Sequence, residues 1–413
     1  MKKSLPPLIA DRLPEGERAA LEALIGLATG QGAPLYLVGG GFRDLLLGRP
    51  HLDLDLAVEG DAIELARALT RALAGRVSVH QAFGTASVEC PSFRLDLAQT
   101  RTETYPQPGD LPLVRPASLA EDLRRRDFTV NAMALRLTPP HAGEVIDPHG
   151  GRQDLERRLI RILHAESFRD DATRMLRAVR YEGRLSFRLE EDTERLLRQD
   201  LAYLDTISGA RLRRELLAIF YEERPLPLLA RCRELGILAA LHPCLRLDDE
   251  AEASLRRAQE ERPAPWDEVC LCLLCRSCAA ADVGSLVRRL ALPKRFQRVL
   301  SDGVRLRDLL PLLRQPDLSP SAVVEALEPL GQAAVRALAL AADKGAAAER
   351  AGCFLREWRY VKPYLSASSL RRLGVAPGPE LGGLLRRLRA ARLDGVTRGR
   401  EDELALLGRQ TQS

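Results

Sequence analysis

Along the first 145 residues the spacing of apolar positions changes repeatedly between helical and strand periods. "GERAALEALIGLATG" (16–30) carries its leucines and isoleucine at helical spacing and predicts an amphipathic helix. "PLYLVGG" (34–40) predicts a short apolar strand running into glycines, and "FRDLLLG" (42–48) the start of a helix. From Leu52 to Ala57 the residues alternate Leu, Asp, Leu, Asp, Leu, Ala, the pattern of a strand with one buried face. "DAIELARALTRALAG" (61–75) predicts a second helix, stopped at Gly75. "VSVHQAF" and "ASVECPSFRLDLAQT" predict strands, the latter broken at Pro91, and the proline-rich stretch 105–118 predicts a loop. Beyond about residue 150 the character changes. Leu, Ala and Arg recur at helical spacing, and residues 151–413 are expected to be all-helical, with breaks at 225–227, 263–265 and 375–379. The shift near 145–150 is the strongest domain boundary in the chain, and no fixed-period repeat is visible.

Composition narrows this only a little. Hydrophobic residues make up 46% of the 413, so a core is available, and the net charge is +5. The basic excess is local: residues 351–400 hold eleven Arg or Lys against three Asp or Glu. Such a segment suits a phosphate backbone, although a solvated helix face gives the same count. No stretch of about 18 apolar residues suggests a membrane span. No apolar run follows "MKKSLPPLIADRLPEGE", so no signal peptide is expected and the protein is expected to be cytoplasmic, with reduced thiols. Cys270, Cys272, Cys275 and Cys278 cluster in "EVCLCLLCRSCAAA". The flanking leucines favour a buried, uninterrupted helix over a metal knuckle.

The alternating strand poses a chemical question, because Asp53 and Asp55 point to the same side and repel each other. Divalent cations would make that pairing favourable, and Mg²⁺ prefers a few carboxylates together with phosphate oxygens and water. Just upstream, Gly39, Gly40 and Gly41 lead from a strand into a helix bearing Arg43. Glycines allow close backbone approach, a helix N-terminus offers N–H groups, and a guanidinium fork matches phosphate. In "EDLRRRDFTVNAMAL" (121–135) three arginines run into an apolar segment, so at least one is expected to point inward. In "SFRDDATRMLRAVRYEGRLSF" (167–187) Asp171 and Arg174, three apart, are expected to share a helix face continued by Arg177 and Arg180. A carboxylate beside a guanidinium matches the donor and acceptor edges of cytosine and adenine, and not those of uracil or guanine. Asp96 in "FRLDLAQT" is a further strand carboxylate.

These motifs, with "GARLRRELLAIF", resemble in content and order those of the class II tRNA nucleotidyltransferases and bacterial poly(A) polymerases. That family belongs to the DNA polymerase beta-like nucleotidyltransferase superfamily. The resemblance implies an α+β fold: a nucleotidyltransferase head with a small mixed β-sheet, followed by all-helical neck, body and tail. The parts would be residues 1–147 (catalytic head), 148–224 (neck, base recognition), 225–310 (body) and 311–413 (tail, tRNA binding). It implies that Asp53 and Asp55 are catalytic and bind Mg²⁺, and that Gly40, Arg43 and Arg126 contact the triphosphate. Asp171 and Arg174 would read the base, Arg177 and Arg180 would assist nucleotide binding, and Arg211 and Glu215 would be structural. Where the family usually has Glu-Asp before the base-reading helix, this chain has Asp170-Asp171. Asp96 could be the third carboxylate of the wider superfamily. The stretch 361–395 is similar to the tail of some members, which implies contact with tRNA. The implied reaction is template-independent transfer from CTP or ATP to a tRNA 3′ end, giving all or part of CCA, with pyrophosphate released. Poly(A) addition to general RNA is the first alternative, and a catalytically inactive RNA-binding protein the second. No obligatory protein partner is evident.

Overall fold

The computed structural model describes residues 5–49, 53–73, 75–90, 93–341 and 345–410. Leu52 and Pro91, which carry the predicted strand start and strand break, lie outside the described residues. The chain forms two compact units, Met1–Ser208 and Gly209–Ser413.

The first unit is built on a seven-stranded sheet. Its strands are β1 (Leu35–Val38), β2 (Asp55–Val58), β3 (Arg76–His80), β4 (Thr85–Cys90), β5 (Phe93–Gln99), β8 (Ala134–Arg136) and β9 (Val145–Ile146), in the order β3-β4-β5-β2-β1-β8-β9. The sheet is mixed: β2 runs parallel to β5, and the other pairs are antiparallel. Burial follows position in the sheet. All four residues of central β1 are buried, whereas edge strand β3 alternates exposed and half-buried. The helix Ala62–Leu73 lays Ala62, Ile63, Leu65, Ala66 and Leu69 against β4, β5 and the helix Glu15–Gly30. Asp61 caps it, accepting from the N–H of Ile63 and Glu64, both at 2.9 Å. On one sheet face Tyr36, Val38, Ala57 and Ala134 pack with Leu119 and Leu123 of the helix Leu119–Arg124.

Four sequence expectations change. The helix expected to start at Phe42 instead begins at Gly39 and runs Gly39–Leu46, so the glycines form its first turn. The proline-rich stretch contains strand β7 (Leu113–Pro116), paired antiparallel with β6 (Arg101–Thr104) as a two-stranded ribbon. The one proline of β7, Pro116, is the last residue of the strand, in a two-stranded ribbon whose outer edge needs no ladder donor. Two strand residues each, β10 (Leu159–Ile160) and β11 (Arg188–Leu189), form a parallel pair inside the segment expected to be all-helical. The cysteine-rich helix is also interrupted. It spans Trp266–Leu274 and closes at Cys275, and Cys278 forms a disulfide with Cys244. Cys270, Cys272 and Cys275 are buried free thiols, and burial pushes Cys272 up to about 12.

The described residues of the second unit are helical. Near its end Leu365, Leu370, Leu384 and Leu388 form a small core of their own. Glu403, fully buried, accepts from the N–H groups of Tyr364 (2.9 Å) and Leu365 (2.7 Å) and so ties the helix Arg400–Gln410 to that core. Glu403→Ala leaves two amides without an acceptor and is expected to cost about 2–4 kcal/mol. Denaturation of the full chain, and faster hydrogen exchange at the amides of Tyr364 and Leu365, check this. No helix among the described residues is long and apolar enough to cross a membrane.

Candidate active site

β1 and β2 are adjacent and antiparallel, so the helix that follows β1 starts beside the residues that lead into β2. Gly41 makes that approach possible, since a Cβ there would overlap the Asp53 carbonyl oxygen. Gly39 has φ +63°, and a Cβ on it would meet the Arg126 guanidinium at 2.9 Å. The glycine run therefore brings a helix N-terminus, Asp53, Asp55 and Arg126 together.

The carboxylates come from register. Asp55 pairs with Asp96 on parallel β5, so a third carboxylate stands beside the first two. Burial pushes the Asp55 carboxyl up to about 6, with Asp53 and Asp96 adding to the rise and Arg126 and Arg43 opposing it. Asp96 is itself held by the Ser87 hydroxyl and by Arg94 at 3.4 Å. Among the described residues no three His, Cys, Asp or Glu side chains are grouped so as to hold a metal alone. A donor set of two aspartates still fits Mg²⁺, which takes its remaining ligands from water and substrate oxygens.

Cationic groups come from two further segments. Asp55 shares a strand face with Ala57, and on that face the helix Leu119–Arg124 is packed. Its N-terminus is fixed by a capping box between Ser118 and Glu121. Its buried Asp122 binds Arg125 at 2.6 Å and Arg126 at 2.8 Å, so two arginines of the run turn inward while Arg124 is exposed. Burial alone would raise the Asp122 pKa, but Arg126 and Arg125 outweigh it and hold it below the usual carboxylate range. Arg43 is 2% exposed, donates to Asn131 Oδ1 at 2.6 Å and pairs with Asp44 at 2.9 Å.

The helix Thr173–Leu185 supplies the rest. Arg174, buried, donates to Ser167 Oγ (2.6 Å) and to the Arg125 carbonyl (2.8 Å). Arg177 pairs with buried Asp127 at 2.5 Å, and Asp127 also accepts from Asn131 at 2.9 Å. Asp171 differs from its expected place. It is the extended residue closing the helix Ser167–Asp170, with φ −146° and ψ 96°, so it shares no helix with Arg174. Its Oδ1 accepts from the N–H (3.0 Å) and hydroxyl (2.6 Å) of Thr173, which fixes it at the start of the Arg174 helix.

These groups line one cavity of about 650 Å³. Of the residues singled out in the sequence, Gly40, Arg43, Asp53, Asp55, Asp96, Arg126, Asp171, Arg174 and Arg177 line it; Arg180 is not among its lining residues. Arg180 instead lies 5.8 Å from the Tyr181 ring. Sequence reasoning missed Glu103, Tyr105, Asn131 and Tyr181 on the cavity wall. Tyr181 stands edge-on to Phe128, with Arg43 at 5.1 Å and Arg177 at 5.5 Å from its ring. Its place directly after Arg180, inside the arginine-bearing motif 167–187, was the available signal. Tyr105 sat in the stretch read as loop and Glu103 just before it, and neither gave a signal.

The model of the "Poly A polymerase head domain" matches residues 35–161, and that of the "Probable RNA and SrmB- binding site of polymerase A" matches 186–248. The "CC-adding tRNA nucleotidyltransferase" of Deinococcus radiodurans is 33% identical over 379 residues, covering 92% of this chain and 90% of that protein. This chain belongs to the tRNA nucleotidyltransferase family. The resemblance carried by the ordered motifs is thereby borne out, as is the α+β head followed by helices. Another member, the "A-adding tRNA nucleotidyltransferase" of Geobacter sulfurreducens, is 32% identical over 402 residues. The match covers 92% of this chain but 45% of that protein, so the chain spans less than half that relative's length. Among solved structures, "Thermotoga maritima CCA-adding enzyme complexed with tRNA_CCA" is similar over 98% of both chains, with TM-score 0.81 and 29% identity. The family's glycine-to-helix turn, aspartate strand and arginine helix meet here in a single unit.

Proposed function

We propose that this chain adds C and A nucleotides from CTP and ATP, without a template, to the 3′ end of tRNA, making all or part of CCA. The observation that carries this is the joint lining of one cavity by the aspartates Asp53, Asp55 and Asp96 and by the cations Arg43, Arg126, Arg174 and Arg177. The former suits a cation and an attacking hydroxyl, the latter a triphosphate and a base. The names of relatives that add A or CC to tRNA, and of a solved neighbour complexed with tRNA, support the substrate class.

In this reading Asp53 and Asp55 hold Mg²⁺, which when bound lowers the pKa of the RNA 3′-hydroxyl and neutralises charge developing at the α-phosphate. Gly40, Arg43 and Arg126 hold the triphosphate in line with that hydroxyl, and the 3′ oxygen displaces pyrophosphate. Asp171 accepts from the exocyclic amine of cytosine or adenine, and Arg174 donates to ring acceptors. Arg177 supports the nucleotide side of the cavity, and Arg180, 5.8 Å from the ring of the cavity residue Tyr181, assists indirectly. The head, neck, body and tail boundaries at 147, 224 and 310 belong to the same proposal, with the basic segment 351–400 positioning tRNA through phosphates.

Incorporation into tRNA transcripts ending before CCA, after C and after CC, with each NTP alone, tests the reading. Addition of C only, to the first two, marks a CC-adding activity; addition of A only, to the last, an A-adding one. Long A tails on unrelated RNA replace the proposal with poly(A) polymerase, and no incorporation on any RNA sinks it. Asp122→Asn, which loosens Arg126, is expected to raise the NTP KM about tenfold with a smaller change in kcat, since about 1.4 kcal/mol of preorganisation is lost. Steady-state kinetics with saturating RNA check it.

A further inference from the structure

Far along the chain from these motifs, within the second unit, is a cavity of about 900 Å³. Three arginines from three helices line it: Arg257 from Asp249–Glu261, Arg336 from Gln332–Ala339 and Arg356 from Ala346–Arg356. Arg257 Nη2 and Arg336 Nε are shut off from solvent and have no hydrogen-bond partner. Neither guanidinium pairs with a carboxylate among the described residues, although Glu261 and Glu349 also line the cavity. Both side chains are half-buried and permanently charged, and each keeps one buried N–H donor that an anion in the cavity would satisfy. The matching acceptor is a phosphate, whose oxygens fit the planar fork. Gly352 leaves room for the Arg356 guanidinium, which folds back to 2.9 Å from where a Cβ would stand. The two glutamates are placed to accept from hydroxyls, and alanine and leucine side chains complete the wall.

We propose that this cavity binds a phosphate group carried on a hydroxylated body such as a ribose, through Arg257, Arg336 and Arg356. It is separate from the cavity of the proposed chemistry; its RNA-backbone form rests on the reading that segment 351–400, which contains Arg356, positions tRNA, whereas its free-ligand form does not. Either a free nucleotide or one unit of an RNA backbone presents this chemistry.

Cys353 provides the readout. It is a half-buried free thiol on the cavity wall, 3.9 Å from Arg356 Nη2. The full chain is alkylated with iodoacetamide in the presence of inorganic phosphate, adenosine 5′-monophosphate or a short RNA duplex, and modification of Cys353 is followed by peptide mass spectrometry. At least one probe is expected to slow alkylation several-fold, and Arg257→Gln with Arg336→Gln is expected to abolish the protection. Protection by phosphate or the nucleotide identifies a free ligand; protection by the duplex alone identifies a backbone phosphate. In the latter case the double variant also flattens the salt dependence of duplex binding by about one to two contacts' worth. The circular dichroism of the variant is compared with wild type. If it is unfolded, Arg356→Gln, at an exposed position, takes its place. Alkylation of wild-type Cys353 unchanged by all three probes overturns the proposal, as does protection that survives loss of the arginines.

Discussion

Asp55→Asn is expected to lower kcat/KM for nucleotide incorporation by about a thousandfold or more, while making the metal-free protein more stable. The activity loss follows from removing one of two carboxylates that would hold the cation, a change on the scale of deleting a principal electrostatic stabiliser. The stability gain follows from the raised pKa. Folding lifts the Asp55 carboxyl from 3.8 to about 6, so the folded protein binds this proton more tightly than the unfolded chain does. The group's contribution is therefore fully favourable below pH 3.8 and is lost as pH rises through about 6. At pH 8 the ionised carboxylate costs roughly 2–3 kcal/mol, an upper figure for a group that keeps some solvent. Asn removes that cost, and a rise of several degrees in Tm is expected. The metal-free wild type should gain stability as pH falls from 7 toward 4, and the variant should lack that gain. Thermal melts in a chelator across this range are the measurement; a variant that melts lower than wild type at pH 8 contradicts the assignment of strain to this carboxylate.

The second large effect concerns Asp127, behind the arginines. Its side chain accepts from Arg177 at 3.0 and 2.5 Å, from Asn131 at 2.9 Å and from the Phe128 N–H at 2.9 Å. Burial would raise its pKa, but Arg177 and the hydrogen bonds outweigh this and bring it down to about 2. Asp127→Ala removes the buried carboxylate that Arg177, Asn131 and the Phe128 N–H share and is expected to cost about 2–4 kcal/mol. Because Arg177 and Asn131, the latter bound to Arg43, both depend on it, the NTP KM should rise as well. The pH signature is opposite to that of Asp55. The stabilisation is present above pH 3.8 and is lost as pH falls through about 2, so acid unfolding of wild type begins below the window in which Asp55 protonation helps. Denaturant melts at pH 7 and pH 3 separate the two: Asp127→Ala loses most of its deficit relative to wild type as the pH approaches 2.

Much of this site is legible in the order of the residues alone. The alternation singled out Asp53 and Asp55, and both line the cavity, but the strand begins only at Asp55, so a local turn in which the Asp55 N–H donates to the Asp53 carbonyl, and not the strand period, places Asp53. Three successive glycines announce a close approach of backbone. The arginine run before an apolar segment likewise predicted inward-pointing guanidiniums, and Arg125 and Arg126 do turn in. Spacing misled where a short-range break intervened. Asp171 and Arg174 are three apart, but Asp171 is itself the extended residue between two helices, and Thr173 rather than helix periodicity fixes its carboxylate. The proline-rich segment read as loop because single-strand propensity cannot register a partner; β6 is what makes β7 a strand.

The chain's own pattern set the local directions: which residues lie on which side of a strand or helix, and which motifs follow one another in the family's order. Those depend on periods of a few residues and on intrinsic backbone freedom. Which separate segments meet was decided by the three-dimensional packing. The parallel register that sets Asp96 beside Asp55 joins strands some forty residues apart. The Asn131 bond to Arg43 spans 88 residues, and the Asp127 pair with Arg177 spans 50. Such contacts depend on packing of whole elements, as when Leu119 and Leu123 seat a helix over the aspartate strand. The pKa of Asp55 belongs to the same class, because burial and neighbours, and not residue type, set its value.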